Sequence, residues 1–146
     1  MGLALSQREA SQFPRYFDLY NILWVATATP EATDFIRRVA EPVTGGAGGP
    51  AGPTVKVIWQ SRRYTLWRVN REPGFTDVAG LEVTAGIDRI EIEATGELPP
   101  FVLKYHWDAG LSVTPPATIS SELRLDDPVP FIRVLPNGAD RVVINY

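Results

Sequence analysis

Hydrophobic and polar positions change rhythm twice along this chain. Residues 1–15 carry little periodicity and read as a loose arm, with order beginning near Tyr16-Phe17. Asn21-Ile22-Leu23-Trp24-Val25-Ala26 is nearly continuous in apolar character. Such a run predicts a short strand buried on both faces, with Trp24 in a core. Thr29-Pro30-Glu31 then has the chemistry of a helix start: a hydroxyl N-cap, a proline at the first helical position and an acid in the first turn. Ala32, Phe35, Ile36, Val39 and Ala40 follow at helical spacing, with Arg37 and Arg38 late in the helix and Pro42 to end it.

The ten residues Thr44–Pro53 contain five glycines and two prolines, with no apolar side chain larger than alanine. They cannot offset their own ordering entropy, so 44–53 is expected to be a mobile loop. It lacks the Gly-Lys-Ser/Thr ending of a phosphate-binding loop. Residues 55–60 and 64–69 alternate as strands across Ser61-Arg62-Arg63 and predict a hairpin. Residues 16–70 therefore read as a small strand–helix–hairpin layer.

Beyond a connector at 70–77 the rhythm becomes strands only, at 79–84, 88–94, 101–107, 111–114, 121–125, 129–134 and 140–146. Spacing of about ten residues with Gly, Pro, Asp and Asn punctuation predicts an antiparallel β-sandwich, jelly-roll-like, over residues 71–146. The fold class expected is α+β, mostly β. Ile90-Glu91-Ile92-Glu93 alternates as a strand with one wet face, and Pro136-Asn137-Gly138 is a turn before the last strand.

The densest chemistry lies in Phe101–Leu111. Phe101, Leu103, Tyr105 and Trp107 share one face, and Val102, Lys104 and His106 the other. His106 is the only histidine and there is no cysteine, so thiolate sites, cysteine nucleophiles and multi-histidine metal sites are excluded. No Gly-x-Ser-x-Gly elbow is present. A paired-carboxylate hydrolase could in principle use Asp108 with Asp126 or Asp127, and Asp126-Asp127-Pro128 reads better as a turn. Two adjacent carboxylates also fall far short of a calcium shell. No catalytic residue, cofactor or metal is assigned. Recognition is the better fit, by Lys104, His106 and Trp107, with Asp126 and Asp127 as secondary candidates. Trp59, Trp67 and Tyr105 are further strand aromatics that could stack on a sugar or serve a core. Net charge is -3 with scattered basic residues, which gives no footprint for a nucleic-acid backbone.

Several of these segments carry a resemblance. Tyr20–Ala26 before a Pro-Glu helix start, Tyr64–Val69, Leu103–Leu111 and Leu125-Asp126-Asp127-Pro128-Val129-Pro130-Phe131-Ile132 resemble the soluble tail of large bacterial multi-pass membrane proteins. Those proteins are glycosyltransferase-like, and some are labelled related to 6-pyruvoyl-tetrahydropterin synthase. The likeness spans roughly residues 16–146. It implies a small α/β layer leading into a β-sandwich, placed on the extracytoplasmic face of a bacterial cytoplasmic membrane. The pterin-synthase label does not carry over, because that chemistry needs three zinc-binding histidines. Relatives often continue the strand into Pro-Gly-Trp, where this chain has Asp108-Ala109-Gly110-Leu111. The resulting expectation is a non-catalytic domain that binds or orients a glycan or lipid-linked sugar. The alternative is a structural module docking on its own transmembrane region or a partner, and a small glycoside hydrolase stands behind both.

Overall fold

The computed structural model describes residues 7–40 and 54–146, and the expected mobile loop at 44–53 lies outside them. Two helices and ten strands in three antiparallel sheets make the described fold mostly β. The chain divides into two compact units, Met1–Pro73 and Gly74–Tyr146.

The first unit begins with a correction. Where a loose arm was expected, Gln7–Leu19 forms helix α1, with Pro14 inside it. The helix is amphipathic: Phe13 and Phe17 lie four residues apart on one face, and Phe17 is fully buried. Pro14 masks this pattern in the sequence, since proline is a poor interior helix residue. Asn21, at φ 52°, ends the helix, with amide bonds from Ile22 to Phe17 O (2.8 Å) and from Asn21 to Asp18 O (3.1 Å). That pair of bonds is a left-handed C-terminal cap.

Strand β1 (Trp24–Thr27), helix α2 (Pro30–Ala40), β2 (Thr54–Gln60) and β3 (Thr65–Asn70) complete the unit, with strand order β1-β3-β2. Helix α2 starts as expected, Ala32 N–H donating to Thr29 Oγ1 at 3.2 Å. The helices cover one face of the sheet. There Phe17, Phe35, Ile36, Val39, Val55, Trp67 and Val69 form a core, with Phe13 meeting Phe35 edge-on at 4.9 Å. The Trp67 indole N–H donates to Thr27 Oγ1 at 3.1 Å, satisfying the one polar group of a buried ring. Arg71 closes the end of the layer on Asn21 Oδ1 (2.7 Å) and Asp18 Oδ1 (2.8 Å).

Because only one face is covered, β1 is not buried on both sides. Trp24 is 51% exposed, which overturns its assignment to a core. Its row on the open face is Trp24–Arg68–Lys56, and the next row on that face is Ala26–Leu66–Trp59. A β-bulge between Val57 and Trp59 interrupts β2, an edge strand.

The second unit contains β4 (Glu82–Ala85), β5 (Arg89–Glu93), β6 (Phe101–His106), β7 (Ser112–Val113), β8 (Thr118–Glu122), β9 (Phe131–Leu135) and β10 (Arg141–Asn145). They pair as β4-β5-β10-β7 and β6-β9-β8. Inward side chains from both sheets gather in one core: Ile90, Ile92, Val142 and Ile144 from one, Phe101, Leu103, Ile132 and Val134 from the other. Each large apolar side chain so buried is worth about 1.5–3 kcal/mol. Tyr105 and Trp107 pack partly against this core, following the alternation read from the sequence. The Pro136–Ala139 turn takes positive φ at Asn137 (54°) and Gly138 (91°) and carries the chain from β9 in one sheet to β10 in the other. One strand is displaced from its expected place. The apolar residues of 121–125 suggested a strand, yet β8 is Thr118–Glu122, and Leu123 and Leu125 are exposed beyond it.

Candidate functional site

The residues first singled out lie at one end of the β6-β9-β8 sheet. His106 pairs in register with Phe131, its ring edge-on to that buried phenyl at 5.2 Å. Lys104 and Tyr105 fall in an irregularity of β6, where the register jumps between Leu103 and His106. The Lys104 amide donates to Phe75 O at 2.7 Å, so the segment 75–77 lines the remaining edge of β6. Trp107 donates its amide to Pro130 O at 2.8 Å and is partly buried against the core, so its ring is not a free platform. Burial pushes the Tyr105 phenol above its ordinary value, with Tyr146 adding to the shift.

Asp126 and Asp127 belong to a turn, as their sequence suggested. Asp127 N–H donates to Arg124 O at 3.2 Å, and Leu125 takes φ 54°. Asp126 is exposed, whereas Asp127 is buried and its Oδ1 accepts from Val129 N–H at 2.9 Å. Asp108 likewise closes its own turn on Gly110 N–H at 2.7 Å. Beside them runs an ionic chain that sequence reading missed. Arg124 meets Asp77 Oδ2 at 2.8 Å and Glu122 Oε1 at 2.6 Å, and Arg133 reaches Glu122 Oε2 at 2.8 Å. Arg124 Nε, though near Glu122, is out of line for a hydrogen bond, so that contact is ionic. The outer face of the other sheet is finished the same way, Arg141 bridging Glu91 (2.6 Å) and Glu93 (2.9 Å) while Arg89 meets Glu91 (2.9 Å). The hydrogen bond from Arg141 holds the Glu91 carboxyl below its ordinary range.

A further exposed aromatic surface lies in the first unit. Trp24 and Trp59 stand 51% and 54% exposed on the helix-free face of β1-β3-β2. They sit on the two edge strands, two residues apart in register, so strand spacing and rise put their Cα atoms on the order of 12 Å apart. The Arg68 guanidinium lies 5.5 Å from the centre of the Trp24 ring, with Lys56 next in the same row. Such a cation over an exposed indole fixes the ring at a gain of about 0.5–1 kcal/mol. No Asp or Glu occurs anywhere in Thr54–Asn70, the acid-free stretch being the sequence signal that would have drawn attention here.

At the end of this sheet a shallow, open cleft of about 290 Å³ is bounded by Thr27, Thr29, Gln60, Arg62, Arg63 and Tyr64. Its floor is already satisfied: Thr27 Oγ1 bonds Thr33 Oγ1 at 2.9 Å, and Ser61 Oγ accepts from Arg63 and Tyr64 amides at 3.2 and 3.0 Å. Asp34, also at the cleft, is held by Arg37 at 2.6 Å.

Among the described residues no group of three or more potential ligands gathers to hold a metal ion, and no helix is long and apolar enough to cross a membrane. Compared with protein-family models, curated proteins and solved structures, the chain finds no match.

Proposed function

We propose that this chain is a non-catalytic recognition domain that holds a glycan or lipid-linked sugar against the open face of the β1-β3-β2 sheet. The observation that carries this is the pair Trp24 and Trp59, each about half exposed on a face that the helices leave bare. A pyranose presents flat patches of C–H groups, which a fixed indole covers while polar neighbours take up the hydroxyls. The resemblance of Tyr20–Ala26, Tyr64–Val69 and Leu103–Leu111 to the tails of glycosyltransferase-like membrane proteins supports an extracytoplasmic setting for such a role. In the second unit, the nested pairing of β5 with β10 and β6 with β9 across two sheets that share a core supports a jelly-roll-like sandwich. The recognition surface thus moves from Trp107 and His106 to Trp24 and Trp59. Asp108 and Asp127 each cap a turn amide, which weakens a hydrolase reading built on them.

Titration of the full chain with neutral and charged oligosaccharides, followed by indole N–H signals in NMR, tests the proposal. The Trp24 and Trp59 signals are expected to move while buried Trp67 stays still, and Trp24→Ala and Trp59→Ala are each expected to abolish the response. Silence of both exposed indoles toward every oligosaccharide would overturn it. A second reading, docking on the transmembrane part of the same protein or on a partner, draws on Val57 and Ile58, which are 49% and 46% exposed beside Trp59. A surface that stays silent to sugars and buries both indoles in a protein complex would favour it.

A further inference from the structure

We infer that the ligand of this face is an acidic glycan, one bearing carboxylate or phosphate groups, and that the β2–β3 hairpin supplies the cations that receive them; this rests on the glycan reading above. The hairpin Thr54–Asn70 carries Lys56, Arg62, Arg63 and Arg68 and no carboxylate, so a chain of net charge -3 carries +4 there and -7 everywhere else. Four like charges on one hairpin repel each other, an arrangement that a bound anion relieves. None of the four forms an ion pair among the described residues, whereas in the second unit Arg89, Arg124, Arg133 and Arg141 are all matched to Glu or Asp. Cations without a carboxylate partner therefore coincide with the exposed aromatic rings, Arg68 lying over one of them.

The placement fits a sugar polymer better than a denser polyanion. Lys56 and Arg68 lie in the Trp24 row, within reach of a ring stacked there. Arg62 and Arg63 border the cleft with Tyr64, 53% exposed, past the Trp59 end of β2. Charges are thus interleaved with aromatic platforms, matching a chain that presents acid groups and apolar ring faces together. A guanidinium meets carboxylate or phosphate by charge-assisted, two-pronged hydrogen bonds, and either acid satisfies the same groups. A nucleic acid, whose affinity rests on neutralising many phosphates at once, asks for more cations than the four on this hairpin.

The test titrates the full chain with hexagalacturonate, with a phosphomannan oligosaccharide, and with neutral cello- and manno-oligosaccharides of equal length. At low salt one or both acidic probes are expected to bind roughly tenfold or more tighter than their neutral counterparts, the scale of one or two charge-assisted contacts. Which acidic probe wins distinguishes carboxylate from phosphate. The advantage is expected to shrink as salt screens it and to fall several-fold in the double variant Arg62→Gln/Arg63→Gln, which leaves Lys56 and Arg68 in place. These exposed hairpin-tip residues are not expected to alter folding, which circular dichroism checks. Tryptophan-dependent binding that is equal for acidic and neutral probes, or an acidic advantage unchanged in the double variant, would overturn the inference and leave the glycan reading standing. Absence of binding by all four oligosaccharides would remove both. Tighter binding of a thymidine decamer than of either acidic glycan would also overturn it.

Discussion

The two units finish their exposed sheet faces in opposite ways. In the second, the faces turned away from the core carry charged side chains in matched sets, as in Glu91–Arg141–Glu93 and Asp77–Arg124–Glu122–Arg133. In the first, the bare sheet face carries two indoles, an arginine and a lysine with no acid among them. Ordinary solvated β-surface explains the former, since charges of opposite sign meet across it. The latter leaves two indoles half exposed and its cations without a carboxylate, Arg68 resting over Trp24 instead, and on that difference the proposed recognition face rests.

The largest effect that could break this comparison concerns burial. Ile132→Ala, at a fully buried site of the second core, is expected to cost about 2–5 kcal/mol, and Ile58→Ala on the exposed edge about 0.5 kcal/mol or less. Urea denaturation of the two variants checks it, and equal losses would mean that the first unit's sheet face is covered in solution. Next, Trp67→Phe removes part of a buried ring and its bond to Thr27, at an expected cost of about 1–3 kcal/mol, while Trp24→Phe leaves the denaturation midpoint nearly unchanged. A smaller contrast lies among the arginines. Arg71, whose side chain is only 9% exposed, holds Asn21 and the more open Asp18, so Arg71→Ala is expected to cost about 1–2 kcal/mol, and Arg62→Ala almost nothing.

The smallest effect is electrostatic. The folded Glu91 carboxyl titrates below its unfolded value because Arg141 donates to it. Its contribution to stability is therefore fully present above the ordinary carboxylate range and disappears as the pH falls through the folded pKa. Arg141→Ala is expected to raise the Glu91 pKa in an NMR titration and flatten that acid dependence. An unmoved Glu91 would mean that the paired finish of the second unit is cosmetic.

Much of the architecture was legible because local chemistry and tertiary packing agree. Thr29-Pro30-Glu31 starts a helix wherever it stands, and Ile90–Glu93 alternates because one face is core and the other water. Pattern failed where a neighbour decides the outcome. Asn21–Ala26 reads as doubly buried, yet whether a second layer covers Trp24 is a property of the helices' placement and not of that run. Leu123 and Leu125 outweighed the hydroxyl-rich Thr118–Ser121, although an edge strand needs few apolar residues when its partner β9 carries Ile132 and Val134. The aromatic platform was half visible: Trp59 stood among the candidates, but only register places it on the same face as Trp24 and Arg68.

The bulge in β2 bears on how the molecule avoids its own kind. An edge strand presenting Val57, Ile58 and Trp59 to water offers a free row of backbone groups to another chain, the geometry from which intermolecular sheets grow. An extra residue between Val57 and Trp59 breaks the regular spacing that such templating requires and sharpens the local twist. Lys56 sets a charge beside the same edge, so two copies meeting there would bring like charges together. The β2 edge can thus keep Trp59 in water without templating another strand: what protects it is an interruption in the backbone, not a covering layer.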